Sequence, residues 1–279
     1  MEKKFFQKPT VYVGEVNINV TNLKKALHFY QNILGFTVLE QSDSSAVLTA
    51  DGKTPLLSLE QPIDVTPKQP RTTGLYHFAI LLPSRADLSS FVKHIIRAGV
   101  QLGASDHYVS EALYFNDPDG NGIEVYRDRP SAEWSWTDGQ VAMATEPLDG
   151  DSLVAESNKE WGSMPKETIM GHIHLHVSDL EETEKFFVNG LGFDIVTRYS
   201  GALFASTGGY HHHIGLNVWN GVGAKAPAKN SVGLNWFALV FPDEESRNKA
   251  VDRLGEIGSK VTKNFEVKDP SGNVIRLVI

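Results

Sequence analysis

The sequence predicts an α+β fold built from four copies of one unit, each reading strand, helix and three further strands. Residues 171–177 repeat the pattern of residues 14–20, and residues 191–193 repeat 34–36, in both cases 157 positions later (171 minus 14, and 191 minus 34). Residues 233–239 resemble 74–80, and the turn Asp-Pro-Asp-Gly-Asn at 117–121 recurs as Asp-Pro-Ser-Gly-Asn at 269–273. Several matches at fixed spacing identify an internal repeat more securely than a single motif does.

The repeat divides the chain into six segments. We place the four units at residues 11–62, 72–128, 169–221 and 231–279, after a tail of residues 1–10. Residues 129–168 form a polar, Trp-bearing linker, in which one helix is expected near 151–160. A chain of 279 residues with 41% hydrophobic residues is long enough for one large or two ordinary domains.

In the first unit, apolar and polar residues alternate over 14–20 as in a strand. The Thr-Asn pair at 21–22 can cap the following helix, whose apolar stripe consists of Leu23, Ala26, Leu27 and Tyr30. Gly35 ends this helix, and three short strands are expected near 36–41, 45–49 and 55–60. The even-numbered units carry their helices near 85–98 and 244–257, each ended by a glycine.

The second unit ends in a predicted hairpin. Asp-Pro and Gly-Asn-Gly within residues 117–122 reverse the chain, because proline fixes φ and glycine allows positive φ. Residues 112–116 and 123–127 should therefore be antiparallel strands, with Glu124 and Tyr126 on one face. A carboxylate in mid-strand, beside His107 and Tyr114 on the neighbouring strand, indicates a functional group rather than a simple solvated charge.

Composition restricts the partners and the metal chemistry. The net charge of −8 and pI near 5.7 argue against nucleic acid or an anionic membrane as a partner. There is no apolar run of 18 residues and no charged-then-apolar leader, so a soluble, cytoplasmic protein is expected. The chain has no cysteine, so any metal must be held by histidine and carboxylate side chains.

Four such units ending in Asp-Pro-x-Gly-Asn turns resemble the vicinal oxygen chelate superfamily. That superfamily includes glyoxalases, fosfomycin-resistance proteins and extradiol ring-cleaving dioxygenases, and the resemblance covers nearly the whole chain. It implies that two units curl into one open barrel whose inner face holds a divalent metal. It also implies that the metal ligands come from the first and last strands of a unit.

Carried over position by position, the resemblance selects three metal ligands. Trp236 and Arg276 occupy the ligand positions of unit four, and neither side chain can bind a metal. The remaining useful set is His77, Glu124 and His172, and two imidazoles with one carboxylate are typical of non-haem Fe(II) oxygenases. We therefore expect units two and three to share the metal-bearing barrel and units one and four to form a metal-free one. The expected metal is Fe²⁺, with Mn²⁺ as the alternative.

The spacing of His107, Tyr114 and Glu124 around the Asp-Pro turn resembles the signature of extradiol dioxygenases. The departure is Ser105, which replaces the glycine, asparagine, threonine or aliphatic residue usual there. The resemblance implies that His107 and Tyr114 donate hydrogen bonds to the bound substrate. It also assigns proton transfer to a histidine that maps onto His212, with the adjacent histidine at position 213 as the alternative because a run of three leaves the register open.

The resulting hypothesis is an Fe(II)-dependent extradiol dioxygenase of the catechol 2,3-dioxygenase kind, acting on a small aromatic diol and O₂. One alternative is a glyoxalase-type lyase or isomerase, in which units one and two pair and Glu15, His77 and Glu124 bind Ni(II), Zn(II) or Mn(II). Another is a non-enzymatic protein that sequesters a small aromatic molecule. The sequence leaves open which catechol is the substrate and whether the protein forms a homo-oligomer.

Overall fold

The computed structural model describes residues 3–279, beginning with a short 3-10 helix at Lys3–Phe5. In the first unit the side chain of Asn22 caps helix α1 by accepting a hydrogen bond from the backbone N–H of Lys25. The helix continues as a π-helical turn, Tyr30–Leu34, and ends at Gly35, where φ is +90°. The elements of this unit are β1 (Tyr12–Asn19), α1 (Leu23–Phe29), β2 (Thr37–Gln41), β3 (Ser45–Thr49) and β4 (Leu57–Glu60).

The second unit repeats this order and contains the predicted hairpin. Ser84 caps its helix by accepting from the backbone N–H of Asp87. The strands on either side of the Asp-Pro turn pair antiparallel over their whole length. The elements are β5 (Gly74–Leu81), α2 (Arg85–Arg97), β6 (Gly103–Asp106), β7 (Ser110–Asn116) and β8 (Gly122–Asp128).

The linker differs from its predicted form. Its helix is shorter than the expected 151–160, because the chain beyond Ala155 turns along α2, where Lys93 binds the carbonyl of Ser157 and Arg97 pairs with Glu160. Two short strands that the sequence did not predict form a small sheet of their own. The linker elements are a 3-10 turn (Ser131–Glu133), β9 (Trp136–Thr137), β10 (Gln140–Val141) and α3 (Gly150–Ala155).

The third unit matches the first, including a π-helical turn at Phe186–Gly190 after its helix. The fourth unit has two strands after its helix rather than three. Residues 259–265 form turns in place of an edge strand, closed by the backbone hydrogen bond from Thr262 to Glu266. The elements of the two units are β11 (Ile169–His176), α4 (Leu180–Lys185), β12 (Asp194–Tyr199), β13 (Ala202–Ser206), β14 (Ile214–Asn217), β15 (Gly233–Val240), α5 (Glu244–Glu256), β16 (Glu266–Lys268) and β17 (Val274–Val278).

Each of the two large sheets is formed by two units. Units two and three form an eight-stranded sheet in the order β12-β13-β14-β11-β5-β8-β7-β6, in which β5 and β11 are antiparallel neighbours. Units one and four form a seven-stranded sheet in the order β16-β17-β15-β1-β4-β3-β2. The predicted pairing of units, two with three and one with four, is confirmed. One continuous apolar core joins residues from both sheets and their helices. Across residues 3–279, none of the helices has the length and apolar character needed to cross a membrane.

A bulge in β5 shapes the inner face of the eight-stranded sheet. His77 pairs with His174 and Leu75 pairs with Leu175, so Tyr76 is one extra residue opposite β11. On its other side β5 pairs with β8, where His77 lies opposite Gly122. A Cβ at this glycine would lie 2.1 Å from the carbonyl oxygen of Tyr76 and 3.1 Å from the Cβ of His77. The close approach of β8 to the bulge therefore requires glycine at this position.

Replacing Gly122 by alanine is expected to lower the free energy of unfolding by about 1–3 kcal/mol, the usual cost of forcing extra atoms into a packed site. The atom that the new Cβ meets belongs to the backbone, so β5 and β8 must separate to make room. Denaturant unfolding followed by circular dichroism measures the difference. Gly103→Ala is the matched control, because a Cβ there comes no closer than 3.9 Å to its nearest heavy atom. Equal stabilities for the two variants would contradict the prediction.

Candidate metal centre

Three neighbouring strands of the eight-stranded sheet bring together His77 on β5, Glu124 on β8 and His172 on β11. The sheet register pairs Ala79 with both Glu124 and His172, so these two side chains flank the same residue of β5. His77 lies two residues before Ala79 and therefore points to the same face. Ala79 is fully buried and has only a methyl group, which leaves the space between the three longer side chains open.

The ligand atoms of these residues converge on one point. The Nε2 atoms of His77 and His172 each lie 3.0 Å from Oε2 of Glu124, and all three residues are buried. Within residues 3–279, no other group of three or more histidine or acidic residues brings its ligand atoms together in this way. Two ligand atoms at right angles on a metal about 2.1 Å away are separated by about 3 Å, which matches this spacing.

A buried nitrogen without a hydrogen bond supports the fit to a cation. Nε2 of His77, one of the converging ligand atoms, is close to the carboxylate of Glu124 but has no hydrogen-bond partner. Buried polar atoms in folded proteins are nearly always paired, and an ion is one of the few explanations when they are not. The donor set of two imidazoles and a carboxylate is also one that divalent iron and manganese accept.

The protonation states suit metal binding. Burial raises the pKa of Glu124, but the imidazoles of His172 and His77 outweigh burial and hold that pKa well below its usual range. Burial lowers the pKa of His77. At neutral pH the cluster therefore offers an ionised carboxylate and a neutral imidazole at His77, the forms in which these groups bind divalent metals.

The ligand set of the glyoxalase-type alternative is not assembled. Glu15 lies on β1 in the seven-stranded sheet, where its carboxylate accepts a hydrogen bond from the hydroxyl of Ser58. It does not belong to the convergent group, which contains His77 and Glu124 together with His172. Arg276, at the last-strand position of unit four, pairs with Glu266 and lies over the ring of Trp236.

His107 and Tyr114 lie beside the cluster and are bonded to each other. The backbone carbonyl of Ala144 accepts a hydrogen bond from Nδ1–H of His107, with the two heavy atoms 2.5 Å apart. A neutral imidazole then has a bare Nε2, and the hydroxyl of Tyr114 donates to it over 2.6 Å. Tyr114 is the cross-strand partner of Glu124, and its ring lies 5.6 Å from the ring of His77. The two predicted donors are thus near the cluster, but the proton of His107 is engaged by Ala144 and that of Tyr114 by His107.

His212 lies on the opposite side of the cluster, with its ring 4.1 Å from the ring of His172. Its Nδ1 contacts Nδ1 of His211 at 2.8 Å, and none of the described groups hydrogen-bonds to its Nε2. The alternative, His213, is fully buried, and its ring nitrogens bind a backbone carbonyl in the N-terminal segment and the backbone N–H of Thr207. Of the two candidates, only His212 has an unengaged ring nitrogen beside the cluster.

Two residues for which the sequence predicts no role lie next to His212. Asp128, at the end of β8, accepts a hydrogen bond from Nε2–H of His211 over 2.8 Å, and the hydroxyl of Tyr210 donates to the same carboxylate over 3.0 Å. The run of three histidines was the only sequence signal for His211. Asp128 had none, because its contact with His211 joins residues 83 positions apart.

Aromatic rings line the space next to His212. The ring of Phe204 lies 5.0 Å from His212 and 5.5 Å from His174, and Trp219 lies 5.3 Å from both His174 and Tyr76. Tyr76 is 39% exposed and Trp219 is 53% exposed, so the aromatic lining extends from the buried cluster to the surface. Such a wall is suited to a planar aromatic molecule.

The fold and the cluster together define a class of protein, in which repeated strand-helix-strand units place a divalent metal on the inner face of an open sheet. The family model for the Glyoxalase/Bleomycin resistance protein/Dioxygenase superfamily matches residues 12–125 and 169–277. The chain belongs to this superfamily, as the sequence resemblance predicted.

Among curated proteins, the chain is 47% identical over 277 residues to the catechol-2,3-dioxygenase of Bacillus subtilis (strain 168), which covers 96% of this chain and 97% of that protein. It is 27% identical over 114 residues to biphenyl-2,3-diol 1,2-dioxygenase 3 of Rhodococcus globerulus, covering 40% of this chain and 60% of that protein. The crystal structure of glyoxalase I from Zea mays has a TM-score of 0.57 at 18% identity and covers 96% of this chain and 92% of that one. This last likeness is one of fold alone.

Proposed function

We propose that this protein is an extradiol dioxygenase that binds Fe²⁺, or Mn²⁺ in its place, through His77, Glu124 and His172 and opens the ring of catechol or a substituted catechol with O₂. The single observation that carries the proposal is the surroundings of the three-residue cluster. Tyr114 lies on one side of it, His212 lies on the other, and aromatic rings line the way from His212 and His174 to the surface. The 47% sequence identity to the Bacillus subtilis catechol-2,3-dioxygenase over 96% of the chain supports the same reaction.

The bound metal would supply Lewis acidity toward the two diol oxygens and a route for electrons from the aromatic ring to O₂. Three protein ligands of this kind leave coordination positions free for small molecules. The protein's own contribution begins with exclusion of water, because His77, Glu124 and His172 are all buried. The aromatic wall beside His212 would hold the diol ring flat against the cluster.

His212 is the residue that we assign to proton transfer. Burial and the nearby imidazoles of His172 and His211 hold the pKa of His212 well below its usual range, so its ring is neutral at physiological pH. A neutral imidazole can accept the proton that a diol hydroxyl must lose, and the resulting imidazolium can return it as the O–O bond breaks. The unengaged Nε2 is the atom that would hold this proton.

Tyr114 and His107 are the residues that we assign to hydrogen bonding with the substrate. In the neutral pair the tyrosine hydroxyl donates to Nε2 of His107, so its proton is not free. Turning the tyrosine hydroxyl from Nε2 of His107 toward a bound diol would let it donate to an oxygen of the substrate. The pair would then stabilise the negative charge that develops on that oxygen.

The proposal predicts a colour change. Catechol added to protein loaded anaerobically with Fe²⁺ should give a yellow ring-opened product once air is admitted near neutral pH. The reason is that cleavage beside the hydroxyl pair yields a muconic semialdehyde, whereas cleavage between the hydroxyls does not. Visible absorbance follows the product, and an oxygen electrode should record one O₂ consumed per product formed.

Two controls make this experiment decisive. The same protein kept anaerobic, and protein stripped with a chelator, should both stay colourless. Absence of colour with catechol and its simple alkyl and aryl derivatives, in protein that has retained its iron, would contradict the dioxygenase. Catechol binding measured by calorimetry without turnover would instead favour the non-enzymatic alternative.

A further inference from the structure

The hydrogen bonds among Asp128, His211 and His212 determine which ring nitrogen of His212 carries the proton. The carboxylate of Asp128 can only accept, so the 2.8 Å contact requires a proton on Nε2 of His211. Neutral His211 then has a bare Nδ1, which also can only accept. The 2.8 Å contact between the two Nδ1 atoms therefore requires the proton to sit on Nδ1 of His212. This leaves Nε2 of His212 without a proton, which is the form of the ring that acts as a base.

We propose that Asp128 and His211 are positioning residues that hold His212, whose ring lies 4.1 Å from the ring of His172, in the tautomer with a bare Nε2. This inference rests on the proposed function, because it concerns the residue that we assign to proton transfer. It adds two residues to the site, which form a hydrogen-bonded chain in the order Asp128, His211, His212. Neither Asp128 nor His211 is among the convergent ligand residues.

The surroundings of Asp128 keep its carboxylate in place. The hydroxyl of Tyr210 donates to both of its oxygens, at 3.0 and 3.2 Å. Since that proton is committed, the hydroxyl of Tyr126 must donate to Tyr210 across their 2.8 Å contact. Every donor around the carboxylate therefore points toward it, and its orientation is determined from two sides.

The ring of His211 is held equally firmly. It is fully buried, and its centroid lies 4.0 Å from the ring of Tyr210 and 5.1 Å from the ring of Trp134. A flipped ring would point carbon atoms at Asp128 and at His212 and would lose both hydrogen bonds, one of them to a charged group. The packing and the two hydrogen bonds thus favour the same orientation.

Two substitutions at position 211 separate positioning from packing. His211→Phe keeps an aromatic ring between Tyr210 and Trp134 but removes the acceptor for Nδ1–H of His212. His211→Gln keeps both polar functions, since its amide N–H can donate to Asp128 and its amide oxygen can accept from His212. Asp128 accepts only, so the glutamine amide cannot turn around without placing its oxygen against the carboxylate.

The first measurement reads the tautomer directly. The full chain is loaded with Zn²⁺ as a diamagnetic probe, and the imidazole ¹⁵N resonances of His212 are recorded near neutral pH. Wild type and His211→Gln should show the proton on Nδ1, and His211→Phe should show a shift of the proton toward Nε2. A His212 ring that keeps its proton on Nδ1 in His211→Phe would overturn the proposal.

The second measurement uses the Fe²⁺-loaded enzyme with catechol. We expect kcat of His211→Phe to fall about 10- to 100-fold, as is usual when a residue that orients a functional histidine is lost. KM should stay close to the wild-type value, because neither Asp128 nor His211 would reach the diol. His211→Gln should recover most of the lost kcat. Equal kcat values for the two variants would overturn the proposal.

The two measurements also separate this inference from the proposed function. If His211→Phe changes the tautomer of His212 but the wild-type protein does not cleave catechol, the positioning role is sustained and the dioxygenase is refuted. If the wild-type protein cleaves catechol and His211→Phe cleaves it equally fast, the dioxygenase is sustained and the positioning role is refuted. Asp128→Ala, which removes the carboxylate but leaves the residues around His212 unchanged, should reproduce the effects of His211→Phe in both measurements.

Discussion

Replacing His172 by alanine should remove the metal from the protein and abolish turnover. The variant loses one of three protein ligands, and even loss of a residue that merely supports a ligand typically costs 10- to 100-fold in metal affinity, so a reduction of more than about 100-fold is expected. The remaining pair, His77 and Glu124, would hold the ion by only two atoms. Metal content after anaerobic loading with Fe²⁺ and gel filtration measures the effect.

Two further variants control this experiment. Glu15→Ala should keep the full metal content, because Glu15 lies in the other sheet and is bonded to Ser58. His176→Ala removes an imidazole from the same strand as His172 but outside the cluster, where its Nδ1 contacts Asn217, and it should also retain the metal. Iron kept by His172→Ala and lost by Glu15→Ala would support the glyoxalase-type alternative and contradict the present site.

The fold could be predicted because its information is local and repeated. Strand alternation, helix caps such as Asn22 and the Asp-Pro turns each report on their own neighbourhood, and their recurrence at constant spacing gives the number of units. The pairing of units two and three is a prediction about distant parts of the chain, which local patterns alone do not give. It followed from the ligand positions that the family resemblance implies, where units two and three carry His77, Glu124 and His172, and the antiparallel pairing of β5 with β11 confirms it.

The features that could not be predicted depend on contacts between distant parts of the chain. The extra residue at Tyr76 exists only in the register of β5 against β11. The choice between His212 and His213 depends on where the N-terminal segment packs, since the carbonyl of Phe5 accepts from His213. The sequence predicts only a tail for that segment, whereas in the structure Phe5 stacks on Trp134 of the linker at 5.4 Å. No pattern within either segment indicates this contact.

Replacing His212 by alanine should slow turnover by roughly 10²–10⁴ while the metal stays bound, which is the usual worth of a general acid–base residue. The physical reason is that the diol proton would have no acceptor other than water in a site whose ligands are buried. Metal analysis and steady-state kinetics on the same sample separate this result from that expected for His172→Ala. In the His172 variant both quantities fall, whereas in the His212 variant only kcat falls.

The matched control for His212→Ala is His28→Ala, which removes an exposed imidazole bound to Asn32 in the first unit. It should leave both metal content and kcat unchanged. Because Nε2 of His212 is the unengaged nitrogen beside the cluster, small nitrogen bases such as imidazole should restore part of the lost rate by entering the space that alanine leaves. Wild-type turnover in His212→Ala would show that another group moves the proton, and Tyr114 with His107 would then be the next pair to replace, since their hydrogen bond already contains a transferable proton.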